Sequence, residues 1–209
     1  MEIITLFFTS FLVGFSGASA PGPLMTLVLA QSSIGGWKKS LEIISGHAIL
    51  EGILLILLLF GLQPVLEHPV FLRSFTLLGS VFLIYMGITL FISILNNRLE
   101  IKNSDPVKIP LILAGGLTSL GNPYWLLWWI TIGVSFITQA KSLLLPGILS
   151  FYTGHILADY TWYIFIGILG QGLSLPFWGK VYRYVLYFSS LFLFGFGLYF
   201  IYYAIFKIS

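Results

Sequence analysis

Apolar residues fill this chain in long unbroken runs, and its charged residues gather in the short gaps between them. Glu2 and Lys38 enclose 35 residues without Asp, Glu, Lys or Arg, Lys108 and Lys141 enclose 32, and residues 74–97 and 184–206 are free of them as well. A spanning helix needs about 20 apolar residues, so each run is long enough to cross a bilayer. Hydropathy and punctuation predict six spans, near residues 3–31, 41–62, 70–95, 110–137, 143–170 and 181–206. The fold class expected is all-α: a polytopic membrane protein. The run ending in Ala18-Ser19-Ala20 has the look of a signal-peptide cleavage site, but Glu2 leads it and Pro21 would follow the cut, so it is read as a retained membrane helix.

Only residues 96–109 contain a polar loop of any length, and they divide the chain into an N-terminal three-helix unit, 1–95, and a C-terminal one, 110–209. The two units repeat. Gly46-His47-x-x-x-Glu51 of the second span matches Gly154-His155-x-x-x-Asp159 of the fifth, and Ser80 to Leu83 with Gly87 match Ser190 to Leu193 with Gly197 at a constant offset of 110. Repeats with an odd number of spans enter the membrane from opposite sides, so the expectation is two inverted three-helix repeats, an architecture common among secondary transporters. Lys and Arg number seven in the 1-2, 3-4 and 5-6 loops and three on the other side, which places those loops in the cytoplasm and both termini outside.

Composition narrows the function. Hydrophobic residues make up 58% of the chain and charged ones 8%, too few to clothe a soluble core. The net charge of +3 rests on ten scattered basic residues, which excludes a nucleic-acid partner. There is no cysteine, hence no disulfide or thiolate chemistry. No Walker loop, Gly-x-Ser-x-Gly or His-Glu-x-x-His motif is present, so neither catalysis nor a cofactor is expected.

Two sets of residues are candidates for chemistry. Pro21-Gly22-Pro23 and Gly121-Asn122-Pro123 interrupt the first and fourth spans. Proline suits the first turn of a new helix, with Gly or Asn before it as cap, so each reads as a helix that stops and restarts inside the membrane. A restart turns free N–H groups and the positive end of the helix dipole toward an anion such as a substrate carboxylate; the plainer reading is a proline kink. The second set is His47 with Glu51 and His155 with Asp159, each pair four apart and on one helix face. Buried acids are costly in hydrocarbon, so these four are expected to meet near the midplane and bind an ammonium group, a proton or a metal ion; the plainer reading is a hydrogen bond gluing helices together. Trp125, Trp128 and Trp129 form a stripe expected to pack or to mark the interface, with a substrate path as the alternative.

The run Gly17-Ala18-Ser19-Ala20-Pro21-Gly22-Pro23-Leu24, then Gly35-Gly36-Trp37-Lys38-Lys39, the Gly46-His47 turn and Gly121-Asn122-Pro123-Tyr124-Trp125 resemble the LysE family of amino-acid exporters over nearly the whole chain. The resemblance implies an inner-membrane exporter of basic or neutral amino acids or close analogues, driven by protons or the membrane potential. Members of that family carry an acidic residue soon after Pro-Gly-Pro, where this chain has Leu24, Met25 and Thr26. The acid-histidine turns also look like a branch of the wider superfamily that exports divalent cations such as cadmium and manganese, which gives the alternative of a metal exporter with His47, Glu51, His155 and Asp159 as ligands. Partners expected are the lipid bilayer, a small solute, protons or another cation and, in a homo-oligomer, further copies of the chain.

Overall fold

The computed structural model describes residues 2–95, 107–172 and 178–208. Every regular element among them is helical: α1 Ile3–Ala18, α2 Pro23–Gly35, α3 Lys38–Leu59, α4 Gln63–Leu66, α5 Pro69–Leu95, α6 Leu111–Leu120, α7 Pro123–Trp128, a π turn Trp129–Gly133, α8 Val134–Lys141, α9 Leu144–Gly172 and α10 Trp178–Phe206. The polar stretch 96–106, most of the expected central loop, lies outside the described residues.

Helices α3 and α5 and residues 186–206 of α10 are long and apolar enough to cross a membrane, and the bent pair α1–α2 makes a fourth span if taken as one. Where six were expected, the remaining two stretches depart from a plain apolar rod. The fourth is divided by Gly121-Asn122 and a π turn into pieces of at most ten residues. The fifth, α9, is 29 residues long but carries His155, Asp159 and three tyrosines, which lower its apolarity.

Both expected breaks are present. The chain turns by 81° between α1 and α2. Pro23 opens α2 because a first-turn residue has no intrahelical use for an N–H, and the extended Gly22 precedes it. Pro123 opens α7 in the same way, and there Asn122 Oδ1 accepts a hydrogen bond from the Tyr124 amide at 3.1 Å.

Between lipid-bathed helices there is little hydrophobic drive, so close approach depends on small residues. Helix α3 crosses α6 where Gly46 faces the Ile112 carbonyl and Gly115 faces that of Ile43; a Cβ on either glycine would run into the opposing backbone. Helix α9 meets α1 in the corresponding manner, with Gly154 against the Phe7 carbonyl and Ser10 Oγ. Helices α5 and α10 pair antiparallel through the matched glycines: a Cβ on Gly87 would lie 2.8 Å from the Ser190 carbonyl oxygen, and one on Gly197 2.9 Å from that of Ser80. An arginine fastens each end of this pair. Arg73 donates to the Ala204 and Ile208 carbonyls at 3.0 and 2.6 Å, and Arg183 donates to the Ile94 carbonyl at 3.1 Å. Arg73 with Ala204 and Arg183 with Ile94 are one contact written twice, its members separated by the same offset of 110.

Polar side chains tie the rest. Gln31 is buried near the end of α2 and accepts from the Val107 amide at 3.4 Å, while Gln171 accepts from the Trp37 amide at 3.0 Å.

Candidate functional site

Helices α3 and α9 turn their acid-histidine faces toward each other. Four-residue spacing stacks His47 over Glu51 and His155 over Asp159, and the helix crossing brings the stacks together. His47 Nε2 lies 3.2 Å from Glu51 Oε1, His155 Nε2 lies 3.1 Å from Glu51 Oε2, and Asp159 Oδ2 sits 3.5 Å from His155 Nε2 and 3.9 Å from His47 Nε2. All four are buried, with Glu51, His155 and Asp159 each 2% exposed.

Each group has a distinct set of neighbours. The Ser119 hydroxyl on α6 donates to the Gly115 carbonyl at 2.8 Å, so its oxygen accepts from His47 Nδ1, also at 2.8 Å. That leaves Nε2 to face the carboxylates. In a neutral ring of this tautomer Nε2 would present a bare lone pair to Glu51 Oε1, so the 3.2 Å contact calls for a shared proton. Glu51 Oε1 also accepts from Trp125 Nε1 at 3.0 Å and Trp129 Nε1 at 2.8 Å, and Trp128 stacks on the His155 ring with centroids 4.6 Å apart. Asp159 Oδ2 and Glu51 Oε2 face imidazole nitrogens at 3.1 Å or more but accept no well-aligned hydrogen bond among the described residues. Two buried carboxylate oxygens of that kind are where a positively charged group would gain most.

The tryptophan stripe is therefore more than packing. Trp125 and Trp129 are both buried as expected, but they also spend their indole N–H groups on Glu51. The signal for this was their own four-residue spacing, which puts two donors on one face opposite an intramembrane acid. Ser119, two residues ahead of the Gly121-Asn122-Pro123 break, was the other polar partner without an assigned role. The π turn that begins at Trp129 lies immediately beyond these contacts.

Helix breaks and acid-histidine stacks share one cavity of about 50 Å³, lined by Pro21, Gly22, Pro23 and Asn122 as well as by all four titratable groups. The two breaks adjoin: a Cβ built on Gly22 would be 3.7 Å from Asn122 Nδ2. Gly121 and Pro123 do not line the cavity; Gly121 faces the Phe82 ring and Pro123 fills the space beside Gly79. The breaks also differ chemically, since Asn122 caps its own helix whereas Gly22 has no side chain to offer the first-turn N–H groups of α2.

A metal ion fits these donors less well than an ammonium group does. His47, Glu51 and Asp159 can each bring one atom within 4.8 Å of the others. Two indole N–H donors already converge on Glu51 Oε1, however, and take up the lone pairs that this oxygen would offer a divalent cation.

The model of one protein family, the LysE type translocators, matches residues 15–204. The chain belongs to the LysE type translocator family. All ten candidate residues lie within the matched stretch of this translocator, and membership of a transporter family makes the chain a membrane transporter of a small solute rather than an enzyme. No curated protein and no solved structure matches the LysE type chain significantly.

Proposed function

We propose that the protein is a secondary active transporter that exports a small amino-acid-like solute by alternating access. The observation that carries this reading is the convergence of both helix breaks and both acid-histidine turns, drawn from the two halves of the chain, on one buried cavity. Glu51 and Asp159 hold the solute's ammonium group or the coupling proton, with His47 and His155 sharing that proton. The solute's carboxylate lies at the start of α2, where the dipole and uncapped N–H groups favour an anion and Gly22 leaves room for its approach. Asn122, Gly121 and Pro123 shape the opposite restart.

In this reading residues 1–95 and 110–209 are inverted three-span repeats joined by the 96–109 linker, giving six crossings in all. The reciprocal glycine and arginine contacts between α5 and α10 support that symmetry, as does the matching of α3 on α6 with α9 on α1. The protein sits in the inner membrane with the 1-2, 3-4 and 5-6 loops in the cytoplasm. Protons drive export, because the cluster offers a proton-sharing site beside the solute.

Purified protein in proteoliposomes tests this directly. A pH gradient should drive uptake or release of an amino acid, and Glu51→Gln or Asp159→Asn should abolish that flux while leaving the protein folded. Wild-type flux in both variants would refute the proposal. Thermal stabilisation by manganese, zinc or cadmium but by no amino acid would move the reading to metal export.

A further inference from the structure

The two acid-histidine arms match in sequence but are not held alike. Where α3 crosses α6, Gly46 faces the Ile112 carbonyl, and where α9 crosses α1, Gly154 faces that of Phe7. Each of these glycines directly precedes its histidine, His47 or His155. Seven residues beyond the two facing carbonyls, about two turns along the same helix face, stand Ser119 and Gly14. These equivalent positions meet the same ring atom. Ser119 Oγ lies 2.8 Å from His47 Nδ1, and a Cβ built on Gly14 would lie 3.1 Å from His155 Nδ1. A hydroxyl thus stands in one half of the chain where the other half has no side chain at all.

We infer that Ser119 is a positioning residue: through His47 it holds Glu51 in one orientation, so that the symmetric pair works as one fixed arm and one arm that changes partners. This rests on the transport reading above. The Ser119 hydroxyl gives its only proton to the Gly115 carbonyl, so His47 Nδ1 is the donor between them. Both edges of that ring are then committed, Nδ1 to α6 and Nε2 to Glu51 Oε1, on which Trp125 and Trp129 also converge. Gly14 offers His155 no such anchor, and neither nitrogen of that ring makes an aligned hydrogen bond among the described residues. The ring is held by its faces instead: it stacks on Trp128 and lies nearly parallel to Phe151. Its Nε2 has Glu51 Oε2 at 3.1 Å and Asp159 Oδ2 at 3.5 Å to choose between. An ammonium group arriving at either oxygen is therefore answered by the α9 arm, while the α3 arm keeps Glu51 in place.

Nitrogen-15 spectra of the histidine rings in detergent micelles test the arrangement without any transport. The chain has three histidines, assigned by His47→Gln, His68→Gln and His155→Gln. His47 should show a slowly exchanging Nδ1–H that is lost in Ser119→Ala and regained in Ser119→Thr, and His155 should show none. Counterflow in proteoliposomes tests the role, with whichever of labelled lysine, arginine, alanine or leucine the wild type carries fastest. Losing a buried hydrogen bond of this kind should lower kcat/KM about ten-fold in Ser119→Ala, and Ser119→Thr should recover most of it. A slow Nδ1–H on His155, or one on His47 that survives Ser119→Ala, overturns the inference and leaves the transport reading standing. So does the expected spectrum with Ser119→Ala kcat/KM within about two-fold of wild type. The expected spectrum with no wild-type flux of any of these solutes overturns the transport reading, and the role of Ser119 with it.

Discussion

Replacing Trp129 with Phe removes the shorter of the two indole donors to Glu51 while keeping an aromatic ring in a fully buried place. The loss has two parts, the hydrogen bond and the packing of the missing pyrrole ring, and a double-mutant cycle with Glu51→Gln isolates the first. Interhelical side-chain hydrogen bonds in membranes average about 0.6 kcal/mol, and a charged acceptor roughly doubles a bond of this kind. Glutamine keeps a neutral acceptor oxygen for the indole, so the cycle reads the charge-assisted excess, about 0.5–1 kcal/mol, read by reversible unfolding in mixed detergent micelles. Trp125→Phe should couple a little less, since its contact is 3.0 Å against 2.8 Å. Trp162 supplies the control: its buried Nε1 has no hydrogen-bond partner among the described residues, so Trp162→Phe should be additive with Glu51→Gln. Additivity of Trp129 within the usual scatter of about 0.3 kcal/mol, or coupling of Trp162 as strong as that of Trp129, would refute the clamp.

Neighbouring glycines on α10 should respond in opposite directions. Gly195→Ala meets open space and should raise stability by about 0.5 kcal/mol, whereas Gly197→Ala places a Cβ 2.5 Å from Ile84 Cγ1 and 2.9 Å from the Ser80 oxygen and should cost about 1–3 kcal/mol, both read as thermal midpoints in detergent. Asn122→Ala removes the cap on the Tyr124 amide and should cost about 1 kcal/mol, with Asn122→Asp restoring most of it in the same measurement. Lys39 and Glu42 pair at 2.7 Å with both side chains well exposed, so Lys39→Ala should shift stability by less than about 0.5 kcal/mol.

The parts of this fold that sequence reveals are those where one residue type admits few conformations. Pro23 and Pro123 have no amide to donate, so each had to begin a helix, and both do. His47 with Glu51 and His155 with Asp159 had to share helix faces, and those faces converge. Boundaries of α5 and α10 differ from the expected spans by three residues at most. The tryptophans were harder because an indole is an apolar body with one donor, and only the packing of α7 against α3 decides where that donor goes. Nothing local marks the division between cavity-lining Asn122 and the packing of Gly121 and Pro123 against α5. Helix rotation sets it, and the π turn after Trp128 changes the rotation of everything beyond.

The two arginine contacts make α5 and α10 a rod pinned at both tips. Losing Arg73 would release one tip and losing Arg183 the other, so the rod would splay at a single face of the bilayer, and the choice of arginine would select which face. A single arginine substitution should thus loosen one end of the pair at a time without touching a residue of the polar centre.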